Sequence, residues 1–266
     1  MDVPCRIGVG GWNFAPWRGT FYPAKLPQAK ELAHASRQLR TMEINSTFYG
    51  AQRESSFARW HDETPEDFVF TVKGPRYATV RKQLVEGLPS VERFLGTGVA
   101  RLASKLGPIN WQLPPFKRFD GEEIDAFLSR LPGEAADLPL RHALEVRHES
   151  FRNPEFVAIA RERGVAIVLA GDSDYPAIPD ATAPFVYARL MGTQASEKLG
   201  YSSAELTRWA KRIEAWRNGA PAPGLEPVAK PQSKLSPRPR EVFVYVISGA
   251  KERNPLAAMA LQNKLP

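Results

Sequence analysis

Three ionisable side chains close β-rich runs of this 266-residue chain: Glu43 in the run 41–45, Lys73 in 68–73 and Glu145 in 141–148. Two carboxylates with a lysine between them supply an acid and a base, because burial and a nearby cation push their pKa values apart. Lys73 has two other readings. It forms a Schiff base if desolvation and Arg147 lower its pKa, or it neutralises one of the glutamates. Arg147 and Arg189 are anion holders, since a guanidinium offers a two-pronged donor set that fits carboxylate or phosphate. An ion pair of Arg189 with Asp172 or Asp174 is the alternative. Asn45, Gln112 and His148 add polar contacts for a substrate. Trp12 and Tyr49 add an apolar wall or a stacking face for a sugar or base. Glu43, Glu145, His148 and Asp172 are also oxygen and nitrogen donors, but none has tight metal-motif spacing. The sequence therefore requires no cofactor and leaves a divalent metal open. His34 and His61 are read as structural.

These residues converge only if the right elements carry them. In 141–148 a period of two sends Ala143, Glu145 and Arg147 to one side and Leu144 and Val146 to the other. With the first side facing into a closed parallel barrel, Glu145 and Arg147 lie near its carboxyl-terminal mouth, where such barrels build their sites. Eight β-rich runs are present, at 6–10, 41–45, 68–73, 109–113, 141–148, 165–170, 185–190 and 242–247. Helical patterns fall between most of them, at 28–39, 55–60, 91–106, 121–131, 154–163, 203–218 and 255–265. Asn153-Pro154 reads as a cap followed by proline at the first helical position.

The alternation predicts an α/β fold, a single (β/α)8 TIM-type barrel with parallel strands spanning 1–266. A doubly wound sheet fits less well: Gly8-Val9-Gly10-Gly11 is too short for a dinucleotide turn and runs into Trp12 rather than a helix. Residues 219–240 stand outside the alternation. They hold six of the 24 prolines and the basic residues Lys230, Lys234, Arg238 and Arg240, and read as a mobile surface insertion before the last strand, on the face opposite the site.

Hydrophobic content of 43% and charged content of 24% suit a globular protein with a sizeable core. The single cysteine, Cys5, excludes an internal disulfide and a cysteine-only metal site. Neither a signal peptide nor an apolar run long enough for a membrane span is present, so the expectation is a cytoplasmic protein with no membrane partner. The net charge of +7 favours an anionic partner, either nucleic acid or a small anionic or sugar-like substrate.

Several short motifs resemble the YecE-like family, domain of unknown function 72. They are Gly10-Gly11-Trp12 with Trp17-Arg18-Gly19-Thr20-Phe21-Tyr22-Pro23, then Glu43-Ile44-Asn45-Ser46-Thr47-Phe48-Tyr49, Phe70-Thr71-Val72-Lys73, Leu106-Gly107-Pro108 with Gln112-Leu113-Pro114-Pro115, and Leu144-Glu145-Val146-Arg147-His148 with Ser150. The resemblance implies a barrel fold and no established activity. It also marks departures: Val80 and Met191 stand where many members carry histidine, and Ile247-Ser248-Gly249 ends the last strand where members carry polar residues. On that comparison a common site rests on Glu43, Asn45, Lys73, Gln112, Glu145, Arg147 and His148.

The leading expectation is an enzyme, a hydrolase, lyase or isomerase, that applies acid-base chemistry to a small anionic or polyhydroxylated substrate at the barrel mouth. A nucleic-acid-binding or phosphodiester-cleaving protein is one alternative. A non-catalytic ligand-binding scaffold is the other.

Overall fold

A computed structural model describes residues 3–230 and 238–265. All eight expected runs are strands: β1 (Cys5–Gly10), β2 (Thr41–Ile44), β3 (Val69–Lys73), β4 (Leu106–Gln112), β5 (His142–Glu145), β6 (Ala166–Gly171), β7 (Phe185–Leu190) and β8 (Glu241–Val246). Each pairs in parallel with its sequence neighbour, and Cys5 of β1 pairs with Val242 of β8 to close the ring. The result is a TIM-type barrel.

The period of two in the strands sorts side chains between two cores. Ala143, Val168, Phe185, Tyr187, Phe243 and Tyr245 fill the barrel interior. Leu144, Ile44, Val72, Ile109 and Val244 face outward against the helices. Those helices are α1 (Glu31–Gln38), α2 (Glu54–Glu63), α3 (Leu88–Leu95), α4 (Gly121–Leu128), α5 (Pro154–Glu162), α6 (Ser203–Arg217) and α7 (Asn254–Gln262). Helix α5 starts as expected, with the Asn153 side chain accepting from the Glu155 backbone. Helix α6 carries a full capping box between Ser202 and Glu205. At the amino-terminal end of the barrel, Glu241 receives both Arg6 and Arg141. Arg141 also lies over the rings of Phe185 and Phe243 and caps the interior from below.

Two expectations change. The long helix at 91–106 is instead α3 followed by a 3-10 turn at Val99–Lys105. Gly98 breaks it with φ +94°, and a Cβ there would stand 2.6 Å from Glu54 Cγ on α2. The insertion is also less free than its composition suggests. Asp180, itself buried, accepts from the backbone N–H of Val228 and Ala229, and Ala222 joins the core. The rest of that expectation, residues 231–237 with Lys234, lies outside the described residues. Among the described residues no helix is long and apolar enough to cross a membrane.

Candidate functional site

The carboxyl-terminal end of the barrel opens into a cavity of about 720 Å³. Its floor is made by side chains that share the inward parity of β3, β4, β5 and β7: Lys73, Gln112, Arg147 and Arg189. Single-turn geometry holds the rim. Thr47 Oγ1 donates to the carbonyl of Lys73 at 2.7 Å and pins the turn Ser46–Tyr49 over the end of β3. Gly10 leaves room for Asn45, because a Cβ there would lie 2.7 Å from Asn45 Nδ2 and 3.1 Å from Ile247 Cγ2. Trp17 Nε1 donates to the carbonyl of Lys251 at 2.8 Å, which sets the Lys251 amine over Phe14 at the cavity edge.

Beneath that floor lies a buried charge network. Arg189 Nη1 donates to Glu145 Oε2 at 2.7 Å and Nη2 to Glu43 Oε1 at 2.9 Å. Asn110 Nδ2 donates to Glu145 at 3.1 Å. Thr71 Oγ1 and Tyr187 are 3.0 Å apart, and the Tyr187 hydroxyl donates onward to Glu43 Oε2 at 2.6 Å. Arg147 closes the other side, donating to Glu145 Oε1 from Nε at 3.0 Å and from Nη2 at 2.8 Å. Its guanidinium also lies over the ring of Tyr175.

Electrostatics follow from this packing. Burial pushes the Glu145 carboxyl up, but Arg189, Lys73 and Arg147 outweigh it and hold the group at about 2. Burial lowers Arg189, and the two glutamates outweigh that and raise it. Burial pushes Tyr187 well up, with Glu43 adding to the effect. Lys73 goes the other way. Burial and the charge of Arg189 bring it down to about 8, against the opposing pull of Glu145 and Glu43.

Glu43 and Glu145 are both fully buried and do not line the cavity. Lys73 does, at 6% exposure, and it forms no ion pair with either glutamate. Its ammonium donates to Gln112 Oε1 and lies 4.4 Å from the centre of the Phe48 ring. Gln112 Oε1 accepts from Arg147 as well, at 2.9 Å. Trp12, Asn45 and Tyr49 all line the cavity. Trp12 meets Trp60 edge to face at 5.2 Å, and Tyr49 stands 74% exposed on the rim.

Other expectations are corrected by geometry. His148 is not among the cavity-lining residues. Its Nδ1 accepts from the Ser150 backbone at 3.1 Å and caps the turn Glu149–Phe151, because β5 ends at Glu145 and the chain has already turned. Arg189 pairs with the glutamates rather than with Asp172, whose carboxylate accepts from Trp209 Nε1 at 2.7 Å. Of the four donors weighed for a metal, Glu43 and Glu145 meet on Arg189 while His148 and Asp172 are engaged elsewhere, and among the described residues no three His, Cys, Asp or Glu side chains are grouped to hold one.

Arg59 and Lys251 line the cavity too and were not foreseen, since they come from α2 and from the turn before α7. Tyr187 and Asn110 were also missed. The signal for both was present: Tyr187 shares parity with Arg189, and Asn110 with Gln112.

The chain matches, over residues 6–266, the family described as "Protein of unknown function DUF72". It is 28% identical over 155 residues to the UPF0759 protein YunF of Bacillus subtilis (strain 168), which covers 56% of this chain and 53% of that one. It is 32% identical over 148 residues to the UPF0759 protein YecE of Escherichia coli (strain K12), covering 54% of this chain and 49% of that one. The chain thus spans about half the length of the curated relatives it matches. Among solved structures, a DUF72 family protein from Thermotoga maritima MSB8 superposes with a TM-score of 0.69 at 23% identity, covering 98% of both chains. That likeness is one of fold.

Proposed function

The chain belongs to the DUF72 family, and from that premise we propose that it is a barrel enzyme that binds a small anionic substrate in the mouth cavity, with Lys73 as its proton-exchanging group. One observation carries this reading. Among the described residues lining the cavity are five cations, Arg59, Lys73, Arg147, Arg189 and Lys251, and no carboxylate. Such a concave, one-signed surface over a low-dielectric floor concentrates anions.

The roles differ from those the sequence alone favours. Glu145 lies below the floor and its carboxyl is held at about 2, so it keeps its charge at neutral pH and serves to position Arg147 and Arg189. Glu43 accepts from Arg189 and Tyr187 and thereby helps to position Arg189. Lys73 is the floor residue whose protonation changes near neutrality, as a general acid or base requires. Asn45, Gln52 and Ser248 offer partners for substrate hydroxyls around the rim.

The test is a thermal-shift titration of the purified protein at low salt with phosphate, citrate and small carboxylates. The expected result is a concentration-dependent rise in Tm that Arg147→Ala abolishes. An unchanged Tm with every anion would overturn the reading. A single-stranded oligonucleotide that binds more tightly than any small anion, stacking on exposed Tyr49, would replace it with the nucleic-acid reading.

A further inference from the structure

Three buried lysines can be compared within this fold, and one differs from the other two. Lys105 Nζ donates to the carbonyls of His61 and Thr64, and lies 3.3 Å from Thr64 Oγ1. Lys117 Nζ donates to Glu123 Oε1 at 2.6 Å and to the carbonyl of Lys82 at 2.9 Å. Lys105 thus has three acceptors and Lys117 two, one of them a carboxylate, and both serve the fold. Among the described residues Lys73 has one acceptor, a neutral amide oxygen that it shares with Arg147. Among the described residues no carboxylate touches it and two guanidinium groups share its floor, against which the face of the Phe48 ring offers the ammonium only a weak attraction. An ammonium has three protons to place, so this environment supports the charged form poorly and suits a neutral amine.

We propose that Lys73 is a nucleophile that forms an imine with a small carbonyl compound carrying a carboxylate or phosphate. This deepens the anionic-substrate reading and rests on it. The neutral Nζ adds to the carbonyl carbon, and the carbonyl oxygen takes up a proton to give a carbinolamine. Loss of that oxygen as water leaves a carbon–nitrogen double bond, with protons exchanged through solvent in the open cavity. Arg147, whose guanidinium lines the cavity beside Gln112, holds the anionic group of the substrate. Arg189, which also lines the cavity, adds its positive charge to the same floor.

Reductive trapping tests the proposal on the full chain. The protein is incubated separately with pyruvate, glyoxylate and glyceraldehyde 3-phosphate, each with sodium borohydride, whose hydride reduces the imine carbon to a stable secondary amine. Adducts are located by peptide mass spectrometry. The expected result is modification of Lys73 at least about tenfold above exposed Lys25 and Lys30, rising with pH through about 8 and suppressed by excess inorganic phosphate. Adducts spread over surface lysines with Lys73 unmodified would overturn it. If phosphate still raises Tm in that case, the imine fails and the anion-binding reading stands. If neither adduct nor phosphate shift appears, both fail.

Discussion

Arg189 and Glu145 meet at 2.7 Å from strands separated by only one other, β6, and both are buried. Removing the charge of Glu145 leaves two guanidinium groups short of a counter-ion in the barrel interior. Glu145→Gln is therefore expected to lose about 3 kcal/mol of stability, the scale for breaking a buried pair from one side. Urea unfolding at pH 7 measures it. A loss under about 0.5 kcal/mol would mean that the pair is dispensable.

The same carboxyl dictates an acid response. Its folded pKa of about 2 lies below its ordinary 4.5, so its contribution is complete above about 4.5 and is lost as pH falls through about 2. Unfolding free energy should drop across that window in the natural protein. In Glu145→Gln the drop should be shallower, and identical slopes would contradict the assignment.

Lys73 gives a slope of the same sign, but as a penalty at low pH rather than a gain at high pH. Its folded pKa of about 8 is below the ordinary 10.5, so the unfolded chain holds the proton more tightly between those values. The penalty is full below about 8 and relieved as pH rises through 10.5. Lys73→Met should therefore be more stable by about 1–3 kcal/mol at pH 6, while losing borohydride trapping. Gln112 Oε1 keeps Arg147 as a donor, so the substitution strands no acceptor. A destabilised variant would assign Lys73 to the fold instead.

Gly10→Ala tests the close approach at the rim. The added methyl meets Asn45 Nδ2 and Ile247. A cost of about 1–3 kcal/mol is expected, with phosphate affinity weakened as Asn45 shifts. Calorimetry and the anion titration read the two effects separately.

Tyr187→Phe separates support from binding. It removes the donor to Glu43 and the partner of Thr71, for an expected loss of about 1–2 kcal/mol in urea unfolding. Tyr187 does not line the cavity, so the phosphate-induced Tm shift should persist.

The barrel was legible because eight apolar runs at near-regular spacing have few other ways to bury both faces, and strand parity placed Glu43, Asn45, Lys73, Gln112 and Arg189 at one end. Parity along β5 also put Glu145 inside, but it says nothing of depth. The run 41–45 does not reveal that Glu43 is sealed beneath Arg189 while Asn45 reaches the cavity, because that depends on cross-barrel partners up to 146 residues away. His148 was misplaced because nearness to the strand end does not by itself bring a side chain to the mouth: β5 pairs only as far as Glu145, and the His148 ring caps the turn that follows. Arg59 and Lys251 come from outside the strands, and no strand pattern announces them.

The trio of Glu43, Arg189 and Glu145 ties together β2, β5 and β7, and its Glu43–Arg189 contact exists only after the ring has closed. A partly assembled sheet would hold one of these charges without its answer, and water would remain around it. Desolvating the trio and joining the ring are thus a single event. A half-barrel of β1 to β4 would inherit Glu43 without Arg189 and little incentive to dry out, while one of β5 to β8 would keep Arg189 on Glu145 alone. This favours all-or-none assembly over stepwise accretion of β/α units, and makes the floor of the cavity among the last parts of the molecule to become rigid.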